Sequence, residues 1–224
     1  MEQQGKGDLF KNGCGIRLEH VFYKYEEKTD PVIRDLSFDF KPGSCTAILG
    51  ETGAGKTTLI RLVLALMRPT EGNVSIYDEE RSADITPLHR CNLVYVPQGN
   101  TLLSGTIRQN LLLANPDATD EQMWDALRLA CADFVEKLPE QLDTVCAESG
   151  GGLSEGQAQR IAVARALLRD RPVMLFDEAT SALDLETERR LLEQVLSDHR
   201  KTIIFITHRT AVVDYCDQTL RVGE

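Results

Sequence analysis

Apolar and polar residues alternate over Asp35–Phe40, where Leu36, Phe38 and Phe40 stand against Ser37 and Asp39. This is the period-two pattern of a half-buried strand. Ile16–Tyr25 reads as a strand before it, with a turn at Glu-Glu-Lys-Thr-Asp-Pro between the two and a second turn at Lys41–Gly43. Further along the pattern changes. Residues 45–50, 92–98, 172–179 and 201–208 are short, nearly continuous apolar runs, expected of strands covered on both faces. Thr57–Met67 has helical character and stops near Pro69; Leu185–His199 predicts another helix. From about Thr106 to Arg169 the chain is rich in Leu and Ala, and Met123, Trp124, Leu127, Ala130, Cys131 and Phe134 recur at helical spacing. That stretch predicts a helical insertion between strands, and the whole predicts an α/β fold.

One loop between a predicted strand and a predicted helix carries chemistry. Gly50–Thr58, Gly-Glu-Thr-Gly-Ala-Gly-Lys-Thr-Thr, fits GxxxxGK[ST] at Gly50, Gly55, Lys56 and Thr57. Glycines let backbone N–H groups turn inward around phosphate oxygens, and the helix that follows directs its free N–H groups at the same anion. Lys56 is expected to reach the β- and γ-phosphates and the Thr57 hydroxyl to ligate Mg²⁺. A second signal is the apolar run 172–179, which ends in two acids, Asp177 and Glu178. Successive strand residues point to opposite sides, so the two are expected to do different jobs: Asp177 to hold the metal and Glu178 to act on the attacking water.

Composition narrows the classes. A net charge of −10 argues against a nucleic-acid-binding face. No apolar run approaches a membrane span, since Leu59–Met67 is already interrupted by Arg61. The six cysteines show no CxxC spacing and read as small apolar side chains, and the four histidines are scattered. The polar, Gly-rich start predicts a flexible leader or linker over 1–15.

Taken together, the ordered motifs resemble the nucleotide-binding domain of an ATP-binding cassette (ABC) transporter. The resemblance covers 16–224 and implies a P-loop NTPase core with a mixed sheet, an N-terminal antiparallel β-subdomain and a helical subdomain over roughly 100–170. Gly50, Glu51, Thr52, Gly53, Ala54, Gly55, Lys56, Thr57 and Thr58 are similar to the Walker A motif, and Val-Met-Leu-Phe-Asp-Glu to the Walker B. Gln98 resembles the Q-loop glutamine, Leu-Ser-Glu-Gly-Gln at 153–157 the signature, Ser-Ala-Leu-Asp at 181–184 the D-loop, and His208 the switch histidine. The resemblance then implies that Tyr25, rather than its neighbour Tyr23, stacks on adenine, and that Gln98 completes the Mg²⁺ shell. It implies that His208 holds the γ-phosphate and that Asp184 joins two halves of a head-to-tail dimer. Ser154, Gly156 and Gln157 of one copy would close over ATP held by the other.

Ser-Gly-Thr-Ile-Arg-Gln-Asn-Leu after the Q-loop, Glu148 in the place of the X-loop acid, and the tyrosine near the first strand resemble exporter-type cassettes. The partners implied are a transmembrane domain, in the same polypeptide or another subunit, and a second cassette, identical or different. The place implied is the cytoplasmic face of a membrane. Family members run on past Arg221–Glu224, so part of the C-terminal packing is expected beyond this chain. A non-transport ABC ATPase acting as a mechanical switch is the alternative. A kinase or GTPase, lacking here an NKxD guanine motif, and an ATP-binding module without turnover are further ones.

Glu155 departs from the usual glycine of the signature. Ser154 and Gln157 fit a capping box, which puts Glu155 at the first helical position, favourable to the helix dipole. Its side chain is expected to point to solvent or a basic neighbour.

Overall fold

The alternation at the N-terminal end folds as β1 (Gly15–Tyr23) and β2 (Ile33–Phe40), paired antiparallel with Ile16 opposite Phe40 and Leu18 opposite Phe38. The computed structural model describes residues 9–10, 13–26, 30–146 and 152–223. A four-stranded antiparallel sheet forms in the order β2-β1-β4-β5, with β4 at Glu71–Tyr77 and β5 at Ser82–Asp84. A second sheet contains the apolar runs: β3 (Cys45–Leu49), β6 (Leu93–Val96), β9 (Val173–Asp177), β10 (Thr202–Ile206) and β11 (Gln218–Arg221), in the order β11-β3-β10-β9-β6. β3 pairs in parallel with both β10 and β11. All five residues of β10 and the first four of β3 and β9 are buried, which is why these strands read as unbroken apolar segments.

Helix α1 (Lys56–Val63) follows β3. The strand pair β7 (Gly105–Thr106) and β8 (Val145–Cys146) brackets α2 (Ile107–Leu112) and α3 (Asp120–Leu129). Then come α4 (Glu155–Arg169), α5 (Leu185–Val195) and the short α6 (Thr210–Val213). The chain gathers into two compact units, one of Met1–Val94, Arg171–Leu175 and His199–Glu224, the other of Tyr95–Asp170 and Phe176–Asp198. An α/β fold with an antiparallel sheet, a parallel sheet and a helical stretch is the architecture expected from the P-loop resemblance.

Three boundaries differ from expectation. α1 ends at Val63, four residues before Met67. Ala65 takes a left-handed φ of 52°, and the Arg90 guanidinium bonds the carbonyls of Leu64 (3.1 Å) and Ala65 that the helix leaves open. α5 ends at Val195 instead of His199, where the Ser197 hydroxyl folds back onto the Gln194 carbonyl at 2.7 Å. Within the expected leader, Phe10 is packed: its side chain is buried, its N–H donates to Asn92 Oδ1 at 2.7 Å and Arg81 lies 4.0 Å over its ring. The cysteines are free, and Cys45 and Cys216, distant in sequence, bring their sulfurs to 2.8 Å.

Candidate phosphate site and signature helix

Within the first unit, β3 delivers the chain into the glycine loop and α1 leaves it. Gly50, Gly53 and Gly55 all have positive φ (154°, 89° and 103°), where an L side chain is strained. Space is denied as well. A Cβ on Gly50 would lie 2.6 Å from the Val222 carbonyl oxygen, and one on Gly55 3.1 Å from Val32 and Ile33. The loop is therefore pressed onto Val222, just past β11, and onto Val32 and Ile33 at the start of β2.

The start of α1 differs from those of α2 to α5, although the four-residue α6 is likewise uncapped. α2, α3, α4 and α5 are each capped by a side chain, from Thr106, Thr119, Ser154 and Asp184. α1 begins at Gly55 with no side-chain cap and no acid in its first turn. Its N–H groups and positive dipole end are left for an external anion. Lys56 folds back across the loop, its ammonium donating to the carbonyls of Gly50 and Glu51, the latter at 2.9 Å. Glu51, Thr52 and Gly53 are exposed along the loop, and Ala54 N–H closes its turn on the Glu51 carbonyl at 3.1 Å. The two threonines divide. Thr57 is exposed, whereas Thr58 is buried and its hydroxyl meets the Tyr25 hydroxyl at 2.9 Å. Tyr25 is 52% exposed, packed edge-on against Tyr23, so it presents ring surface next to α1.

The parallel register also brings the end of β10 beside β3. Ile206 on β10 stands opposite Ile48 on β3, and the Thr207 N–H donates to the Ile48 carbonyl at 3.3 Å. His208 follows the end of β10 by two residues and is exposed.

In the second unit, Asp177 ends β9, and its Oδ2 accepts a hydrogen bond from the Tyr95 hydroxyl at 2.8 Å. Glu178 does not continue the strand. It has φ 50°, and its carbonyl accepts from the Ser181 N–H at 3.1 Å. The two acids are thus separated by a left-handed turn, not by strand alternation as the sequence pattern suggests. A non-glycine residue at positive φ is uncommon and concentrates at functional sites. Gln98 is exposed in the bend after β6.

The signature helix α4 starts with the expected box: Gln157 N–H donates to Ser154 Oγ (3.2 Å) and Ser154 N–H to Gln157 Oε1 (2.9 Å). Glu155 is exposed at the first helical position. Gly156 is a glycine for a packing reason, since a Cβ there would lie 2.8 Å from the Ala182 carbonyl oxygen. Asp184 is exposed and caps α5, accepting from Thr187 N–H at 3.0 Å and Thr187 Oγ1 at 2.8 Å; these bonds hold its carboxyl below the usual range. Its cap therefore acts fully above the ordinary aspartate range and fades as pH falls through the lowered value. Glu148 lies outside the described residues.

Sequence reasoning passed over Tyr95, which orients Asp177, although it stands in the strand before Gln98. It also passed over two residues of α4. Arg165 donates to the Thr101 carbonyl (3.1 Å) and hydroxyl (2.9 Å), and burial lowers its pKa. Gln159 is buried, bonded to Ser181 and Ala182. A polar residue among Ala158, Ile161 and Ala162 was the available signal.

Residues 33–181 match the family described as ABC transporter. The chain is 38% identical over 217 residues to the mycobactin import ATP-binding/permease protein IrtB of Mycobacterium tuberculosis, an alignment covering 93% of this chain and 36% of that protein. It is 40% identical over 208 residues to the ABC transporter ATP-binding protein YfiB of Bacillus subtilis, covering 92% and 36%. Its fold matches the structure of a bacterial Atm1-family ABC exporter with ATP bound, at a TM-score of 0.87 and 33% identity, over 100% of this chain and 40% of that one. The chain spans about a third of the length of the curated relatives it matches.

Proposed function

Because the chain belongs to the ABC transporter family, we propose that it binds and hydrolyses ATP as the nucleotide-binding part of a membrane transporter of the exporter architecture. The observation that carries the reading is the α1 start: an uncapped helix N-terminus, free of acids, closed by positive-φ glycines and crossed by Lys56. For a magnesium nucleotide, the exposed Thr57 hydroxyl and the Asp177 carboxylate, which Tyr95 holds, would each supply an oxygen donor of the kind Mg²⁺ takes when phosphates and water complete its shell. Gln98 would add a further oxygen. When bound, Mg²⁺ draws charge from the phosphate oxygens.

In this reading Lys56 and the α1 N–H groups hold the β- and γ-phosphates, and Tyr25 carries the adenine. Glu178 takes a proton from the water whose oxygen attacks the γ-phosphorus, while the bond to the bridging oxygen breaks and ADP leaves with its electron pair. His208, exposed just past the end of β10, donates to the γ-phosphate. A second cassette supplies Ser154, Gly156 and Gln157 to that phosphate, with Asp184 at the shared interface. The membrane partner is a transmembrane domain, reached at the cytoplasmic face; no helix among the described residues is long and apolar enough to cross a membrane. One relative is named for import and one matched structure for export. The chemistry proposed for this chain is common to both directions.

Titration with a fluorescent ATP analogue, followed by phosphate release with and without Mg²⁺, tests the reading. Saturable binding and Mg²⁺-dependent turnover are expected. A folded chain that fails to bind ATP at millimolar concentration would falsify it.

Two smaller effects follow. Tyr95→Phe removes one charge-assisted hydrogen bond from Asp177, so the Mg²⁺ concentration for half-maximal ATP binding should rise, by up to about tenfold. Binding of metal-free ATP should not change, and if it falls equally the tyrosine supports the fold and not the metal ligand. Glu155→Gly should shift the ATP-dependent dimer constant by less than about fivefold, since an exposed helix-start carboxylate contributes only about 0.3–1 kcal/mol locally. A gain of tenfold or more, measured by light scattering, would mean that Glu155 repels the partner's phosphate.

A further inference from the structure

Gln159 faces inward from α4 and is 2% exposed. Its Nε2 donates to Ser181 Oγ at 3.2 Å, and its Oε1 accepts from the Ala182 N–H at 3.2 Å. A buried amide is tolerated when both ends are bonded, and here both ends go to one loop, 181–184. Three residues earlier, on the same helix face, Gly156 approaches the same loop so closely that a Cβ would meet the Ala182 carbonyl oxygen at 2.8 Å. A hydrogen-bonded clasp and a backbone contact of a different kind therefore fix one loop to the first two turns of α4. Each end of this block is exposed: Ser154 at the helix start, and Ser181, Ala182 and Asp184 on the loop.

We propose that Gln159 is a positioning residue that locks loop 181–184 to the start of α4, so that Ser154 and Asp184 meet a second, ATP-loaded copy as one rigid surface. The inference rests on the dimer reading above. Gln159 touches no nucleotide in this scheme; it acts by removing the ordering cost of two separate segments at the moment of closure. Loosening the clasp should weaken the dimer without altering ATP binding to the single chain.

The test uses Glu178→Gln as the parent, with dimer constants from light scattering at saturating MgATP and ATP affinity from fluorescence. Gln159→Met keeps length and removes both bonds. It should weaken the dimer about tenfold, with ATP affinity within twofold of the parent. Ser181→Ala should weaken it alone, and add nothing on the Gln159→Met background, because both remove the same contact. Gln159→Glu still accepts from Ala182 N–H and from the Ser181 hydroxyl, and should retain most of the dimer. A Gln159→Met dimer within twofold of the parent overturns the proposal, as does a Ser181→Ala loss that adds in full on that background. If Gln159→Met loses cooperative melting, Ser181→Ala and Gln159→Glu decide: parental dimerisation in Ser181→Ala overturns the proposal. Absence of any ATP-dependent dimer in Glu178→Gln itself overturns the dimer reading, and the inference with it.

Discussion

Glu178→Gln should lower ATP turnover about a thousandfold, leave ATP affinity near the parental value and accumulate a dimer that forms with ATP and dissociates with ADP. The backbone makes this substitution clean. Glu178 occupies a left-handed turn fixed by the Ser181 N–H bond to its carbonyl, a bond any residue at 178 can make. Glutamine has the same length and strains the turn no more than glutamate does. What is lost is the ability to accept a proton, and general-base groups contribute about 10²–10⁴ in rate. ATP that persists in the interface then stabilises the dimer by mass action. Phosphate release and light scattering on the same sample read both effects. Turnover within tenfold of the parent would remove Glu178 from the role of base, whatever the dimer does.

The parts of this fold that were legible from sequence are those whose burial is two-sided or periodic. β3, β9 and β10 are covered on both faces, so each is an apolar run that nothing else explains, and β2 shows its half-burial as alternation. β4 was not legible. It begins Glu-Gly-Asn, residues that read as a turn, and it is a strand because β1 pairs with it from Gly15 to Phe22. β11 is short, with two exposed residues of four, and exists through its parallel pairing with β3.

The site divides in the same way. The glycine loop and the two acids are local in sequence and were read directly. The groups that hold them are distant: Val222 against Gly50, Tyr95 on Asp177, Ala182 against Gly156. Such contacts leave no periodic trace. Glu155 shows how far a local reading reaches. Its capping box and exposure follow from four residues, whereas the reason for its neighbour Gly156 lies about 26 positions away.

Lys56→Met should weaken ATP binding about a hundredfold while changing thermal stability little. Methionine keeps most of the hydrocarbon stem and removes the ammonium. In the structure that ammonium bonds the carbonyls of Gly50 and Glu51. Glu51 is exposed, so water can replace the lost bond there, and the fold should lose no more than about 1 kcal/mol. The glycine loop also keeps its shape, since Val222, Val32 and Ile33 press on it independently of Lys56. The phosphates have no such substitute. Hydrogen bonds to charged groups are worth about 1.5–3 kcal/mol, and each 1.4 kcal/mol is a factor of ten in affinity. Residual binding should persist, because the uncapped start of α1 still offers its N–H groups and dipole. Lys56→Arg should not restore the parental affinity. Its planar fork is wider than a compact ammonium and does not reproduce the point charge that Lys56 sets beside the Gly50 and Glu51 carbonyls. Fluorescent nucleotide titration and melting curves on the same preparations separate the two quantities. An affinity within threefold of the parent, at unchanged stability, would mean that the phosphates bind somewhere other than this loop.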